Sequence, residues 1–224
     1  MKLYMFPVSA TSRSVQLFIG DNGIDVEQQS VDLMTGEHKQ ESYASINPNA
    51  LVPVLEDGDF RLTESSAILK YLADKIDSPA YPKDLQERAR VNEMMDWINT
   101  QFYRDYGYGL VYPQLFPNHR RPTDEFHDGV IAWGKERSEE WFEILNNYWL
   151  GSDKTYLCGD QITIADYFAI GIIVIGEIIR CDFSAYPNVE RWMARMKELP
   201  SWADVYGPAE GFIEAVKEKP FVAF

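Results

Sequence analysis

The chain has 224 residues, with 21 Lys or Arg against 35 Asp or Glu, a formal charge of −14. Hydrophobic residues make up 46% and aromatics 14%, which excludes a mainly disordered chain and suits one large or two modest domains. The missing clusters of Lys and Arg argue against a nucleic-acid partner, because phosphate neutralisation needs them.

Two cysteines, Cys158 and Cys181, are too few for a disulfide framework, so a reducing, cytoplasmic setting is expected. The first residues lack the apolar run of a signal peptide, and Pro7 interrupts what there is. The most apolar stretch, Tyr167 to Gly176, is about half a membrane span long before Glu177 and Arg180 intervene. It reads as a buried helix, with no membrane partner.

Lys2 to Phe6 is a compact apolar strand closed by Pro7. Ser12 to Asn22 places Val15, Phe18 and Ile19 at helical spacing and stops at Gly23. Asp25 to Val31 alternates as a strand, so the opening is a β-α-β unit with its two strands parallel. His38 to Ser45 is a short polar connection ending at the turn formers Asn47-Pro48-Asn49. Val52 to Leu55 and Phe60 to Leu62 flank a hairpin at Asp57-Gly58. Thr63-Glu64-Ser65-Ser66 then opens a helix from Ala67 to Ile76.

The two prolines of 78–83 form the linker between a small α/β domain, 1–77, and an all-helical domain, 84–224. Its predicted helices are Asp84 to about Phe116, Thr123 to Leu150, Thr163 to Ile179 and Val189 to Leu199, then a less regular tail from Ala203. Thr163 and Asp166 form a T-x-x-D cap, which assigns Asp166 to folding.

There is no GxxxxGK[ST] loop, no GxGxxG and no GxSxG elbow. The three histidines, His38, His119 and His127, are scattered, so no metal site is expected. Three places in the first domain converge on one sheet edge. Ser9 to Ser14 follows the first strand, where ligands of open sheets bind; its hydroxyls either meet a ligand or cap the helix, with Thr11 or Ser12 as N-cap. Val52-Pro53 is either a structural edge proline or an extended dipeptide that pairs with a ligand peptide. Glu64-Ser65 is either an ordinary helix start or a site for an amino-acid head group, the helix end taking a carboxylate and Glu64 an ammonium.

Leu51 to Gly58 with Leu62 to Leu72, and Gly159 to Asp166, resemble the glutathione transferase family, and the resemblance covers nearly the whole chain. It implies a thioredoxin-like glutathione-binding domain followed by an all-helical domain that contributes the electrophile pocket. The chain is most similar to the theta and delta types, with Ser9 four residues before Arg13 and a Gly36-Glu37-His38-Lys39 stretch. The resemblance implies glutathione as co-substrate, Ser9 as the hydroxyl that activates its thiol, and contacts from His38, Val52, Pro53, Glu64 and Ser65. Ser12, Arg13, Lys39 and Asp96 are further candidates, Asp96 toward the partner subunit of a homodimer. Ala50 and Leu51 stand where relatives often carry a His or Lys.

The electrophile pocket is expected between the domains. Tyr103, Tyr106, Tyr108, Tyr112 and Phe116 form an aromatic run there, and Tyr103, Tyr106 and Tyr112 are its expected lining. The function implied is thiolate attack on a small apolar electrophile, an epoxide or halide. Two alternatives use the same fold: glutathione as a recycled cofactor in dehalogenation, isomerisation or peroxide reduction, and a non-catalytic binding protein.

Overall fold

The computed structural model describes all of residues 1–224. Strand β1 (Lys2–Met5) runs parallel to β2 (Glu27–Ser30), and helix α1 (Ala10–Asp21) is the crossover between them. A short helix α2 (Glu41–Ala44) follows, and then β3 (Val54–Asp57) pairs antiparallel with both β1 and β4 (Phe60–Leu62). The sheet order is β2-β1-β3-β4. The Asp57-Gly58 hairpin forms as its residues require, with Gly58 at φ +60°, a conformation that only glycine takes at no steric cost. Helix α3 (Ser65–Lys75) closes this half.

The second half is helical. α4 (Leu85–Trp97) is capped by Asp84, whose carboxylate accepts from the N–H groups of Gln86 and Glu87. The helix continues through wider π-type turns at Ile98–Phe102 and Tyr106–Val111, with α5 (Tyr103–Asp105) between them and α6 (Tyr112–Leu115) at the end. α7 (Asp124–Ile144), α8 (Ile164–Ile173), α9 (Ile175–Ile178), α10 (Pro187–Lys197), α11 (Trp202–Tyr206) and α12 (Glu210–Val216) follow. No helix is long and apolar enough to cross a membrane.

One hydrophobic core of 51 buried residues spans both halves, so the sheet domain and the helical domain are held rigidly against each other. Their main seam is α1 on α8. Gly171 makes it possible: a Cβ there would collide with Ser14 Oγ and come within 2.6 Å of the Ala10 carbonyl oxygen. Ser14 Oγ in turn donates to the Phe168 carbonyl at 3.0 Å. The start of α1 is therefore anchored by the helical domain, which fixes where Ser9 stands.

The Asp166 cap forms and extends further than the local motif indicates. Its carboxylate is fully buried and accepts from the N–H groups of Thr163 and Leu157, the Thr163 hydroxyl and Trp192 Nε1, at 2.9 to 3.0 Å. It ties α8, the Leu157 turn and α10 together.

Candidate functional site

Ser9 sits where β1 has ended and α1 begins. It, rather than Thr11 or Ser12, is the N-cap: its extended backbone lets Oγ accept from Ser12 N–H at 3.3 Å. The reason is that the helix starts two residues earlier than its apolar spacing indicates. Ser9 Oγ also lies 3.3 Å from Thr11 Oγ1, and Thr11 Oγ1 donates to the Val52 carbonyl at 3.3 Å. Thr11 has one hydroxyl proton and spends it on Val52, so the proton between the two hydroxyls belongs to Ser9. At that length the bond is weak, and Ser9 can turn its proton to a ligand at little cost. The Ser12 hydroxyl is fully buried, accepts from Phe6 N–H at 3.3 Å and faces no cavity.

Two adjoining cavities meet at Thr11, Leu51, Val52, Tyr103 and Tyr108. The larger, about 470 Å³, is walled on one side by Ser9, Ala10, His38, Lys39 and Leu51, and on the other by Tyr103, Tyr108, Tyr112, Phe116 and His119. Ile175 and Ile178 complete it from the helical domain. His38 turns a buried Nδ1 that has no protein partner. The smaller, about 320 Å³, is bounded by Val52, Pro53, Thr63, Glu64, Ser65, Asn99 and Arg104.

The backbone around the smaller cavity is arranged for polar contact. The Val52-Pro53 peptide is cis, and Val52 N–H pairs with no group of the chain. Glu64 stands at φ +66°, a region that a side chain of its kind rarely takes and that marks a constrained position. Ser65, the first residue of α3, lines the cavity, which brings the positive end of an eleven-residue helix to its edge. No group of His, Cys, Asp or Glu gathers in a way that would hold a metal.

The aromatic wall differs from its expected lining. Tyr106 is fully buried and donates to the Ile173 carbonyl at 2.8 Å, whereas Tyr108 opens onto both cavities. The wide turn starting at Tyr106 explains the exchange, because a π-type turn takes an extra residue per repeat and rotates later side chains relative to an α-helical count. The Tyr103 and Tyr112 hydroxyls touch at 2.6 Å. Burial pushes both up from the ordinary tyrosine range, so both stay protonated, one donating to the other. His119, which no motif in the sequence marks, packs its ring against Tyr108, Tyr112 and Phe116.

Two other candidates lie outside both linings. Arg13 is only 3% exposed, packed inside α1 with its guanidinium 4.7 Å over the Tyr206 ring. Asp96 is exposed on the outer face of α4.

The chain is thus a two-domain protein, a small mixed sheet joined to a helical domain, with a serine-capped helix and a second helix N-terminus bordering one cleft that is polar at one end and apolar at the other. Residues 1–74 match the family model "Glutathione S-transferase, N-terminal domain" and residues 133–200 match "Glutathione S-transferase, C-terminal domain". Human glutathione S-transferase theta-2 is 35% identical over 202 residues, covering 88% of this chain and 80% of that one. The crystal structure of human glutathione transferase theta-2 with glutathione and an unknown ligand superposes with a TM-score of 0.85 at 29% identity, over 99% of this chain and 92% of that one. A delta-class glutathione transferase of Nilaparvata lugens superposes at 0.80 with 30% identity, over 96% and 98% of the two chains. The chain belongs to the glutathione S-transferase family.

Proposed function

We propose that the chain conjugates glutathione to small apolar electrophiles, epoxides or halides, using the Ser9 hydroxyl to stabilise the glutathione thiolate. The observation that carries this reading is Ser9 Oγ at the wall of the larger cavity, at the N-terminus of a twelve-residue helix, with a proton free to leave its long contact to Thr11.

Glutathione lies across both cavities in this reading. Its cysteinyl backbone pairs with the vacant Val52 N–H beside Pro53, and its γ-glutamyl end meets Glu64 and the Ser65 end of α3. Its glycyl carboxylate lies toward His38 and Lys39. The electrophile sits against Tyr103, Tyr112 and Phe116, with Ile175 and Ile178 beneath. Ser9 donates to sulfur, the positive end of α1 adds to the effect, and sulfur attacks the electrophilic carbon while the halide leaves or the epoxide C–O bond opens. No general base is required, because the thiol ionises to water once its anion is stabilised.

Retention on immobilised glutathione together with turnover of an aryl halide supports the reading. Binding without turnover of any halide, epoxide or peroxide favours a non-catalytic binding protein, and recovery of free glutathione after turnover places it as a recycled cofactor. A homodimer belongs to the same reading and is checked by sedimentation of the purified chain.

A further inference from the structure

The smaller cavity carries two opposite charges that do not meet. Glu64 and Arg104 both line it, yet Glu64 makes no salt bridge, and the ion pair of Arg104 is with its neighbour Asp105. Asp105 is wholly buried, and its carboxylate clamps the guanidinium along one edge: Arg104 Nε donates to Oδ1 at 2.7 Å and Nη2 to Oδ2 at 3.1 Å. Trp141 Nε1 donates to Oδ2 at 2.8 Å, and Arg137 Nε lies 3.7 Å from it. A surface arginine ordinarily samples many rotamers. Here a buried acid, itself fixed by a tryptophan and a second arginine, holds the guanidinium plane in one orientation. Nη1 makes no hydrogen bond or ion pair within the chain, and 56% of the side chain remains exposed.

The arrangement complements a zwitterion. A guanidinium with one edge occupied presents its other N–H groups as a planar donor set for a carboxylate. The unpaired Glu64 across the cavity suits an ammonium, and the Ser65 helix end lies beside it. We infer that Arg104, oriented by Asp105, is a specificity-determining residue of the glutathione site that takes the α-carboxylate of the γ-glutamyl end. The inference rests on the proposed glutathione site and deepens it: it adds a cation at the γ-glutamyl end of a chain that carries Ala50 and Leu51 where a basic contact at the glycyl end is expected. Asp105 is a positioning residue, since it acts only through Arg104.

The test compares two ligands by calorimetry: glutathione, and the analogue in which 4-aminobutanoyl replaces the γ-glutamyl group, so that only the α-carboxylate is missing. Arg104→Met is expected to weaken glutathione about tenfold or more, the loss of a charge-assisted bond, while changing the analogue less than about twofold. Arg104→Lys keeps the charge over buried Asp105 without the fork and falls between the two. Asp105→Asn frees the guanidinium and weakens glutathione by a smaller factor, again without affecting the analogue. A thermal melt of each variant separates a folding defect from a binding one, and Arg104→Lys, which leaves Asp105 paired, remains decisive if Arg104→Met unfolds. If both ligands weaken equally in the Arg104 variants, or neither does while the wild type binds glutathione, the inference is wrong and the proposed function stands. If the wild type fails to bind glutathione, both fall.

Discussion

Replacing Ser9 tests the proposed chemistry apart from folding, because the proposal gives an observed helix cap a second job. A free thiol with a pKa of about 8.5 is roughly 3% ionised at pH 7, and lowering it by about two units requires about 2.7 kcal/mol. A hydroxyl donating to a thiolate supplies about 1.5 to 3 kcal/mol, and a helix N-terminus about 0.3 to 1 more. Removing the hydroxyl should therefore raise the pKa of the bound thiol by about one to two units. Turnover at pH 7 then falls about tenfold and recovers in alkaline buffer, while glutathione affinity changes little. The same hydroxyl caps α1, so Ser9→Ala also costs about 0.5 to 2 kcal/mol of stability, whereas Ser9→Gly costs only a few tenths because glycine is tolerated at the cap. Ser9→Gly is thus the cleaner probe. The assay is ultraviolet titration of the bound thiolate alongside the pH profile of kcat/KM. If the thiol titrates identically in the wild type and Ser9→Gly, Ser9 is not the activator and the reasoning fails.

Three further outcomes follow from the packing. Asp166→Ala should cost about 3 kcal/mol or more by urea denaturation, beyond an ordinary helix cap, because it strands the buried donors of Thr163, Leu157 and Trp192, each worth about 1 to 3 kcal/mol when unpaired; a loss under about 1 kcal/mol contradicts the buried network. Gly171→Ala should destabilise by about 1 to 3 kcal/mol and lower kcat/KM together, since the new Cβ pushes on Ser14 and the start of α1; an unchanged melt shows that the seam yields. Burial, with Arg121 nearby, holds the His119 imidazole below its ordinary value of 6.5. The unfolded chain takes up that proton first, so stability falls as pH drops through about 6.5 until the folded form also protonates. In His119→Asn that part of the acid sensitivity disappears, and an identical pH dependence of Tm in the two proteins contradicts it.

Much of the fold is legible in the sequence because its signals act over a few residues. The Asp57-Gly58 turn, the Thr163/Asp166 cap and the Asp84 start of α4 are settled by backbone geometry and hydrogen bonds within one turn, and each forms where its residues stand. The convergence of Ser9, Val52 and Ser65 on one cleft follows from strand order, since residues after β1, before β3 and at the start of α3 share one end of a β-α-β, β-β-α sheet. Ala10 and Thr11 add little to a hydrophobic period, so apolar spacing starts α1 at Ser12 and puts the cap on Thr11 or Ser12, whereas the helix starts at Ala10 with Ser9 as its cap.

The architecture and the family are legible in the residues alone, because both depend on local motifs in a readable order. The remainder depends on contacts between distant segments. Whether Tyr106 or Tyr108 faces the cavity depends on a π-type turn, packed against α7, that no periodicity in the aromatic run announces. Arg13, four residues after Ser9 in the chain, is enclosed against Tyr206 from a distant part of the sequence, while Arg104 is held at the edge of the cleft by a buried acid that Trp141 of α7 fixes in turn. Long-range packing sets which side of a helix is inside, and the charges follow.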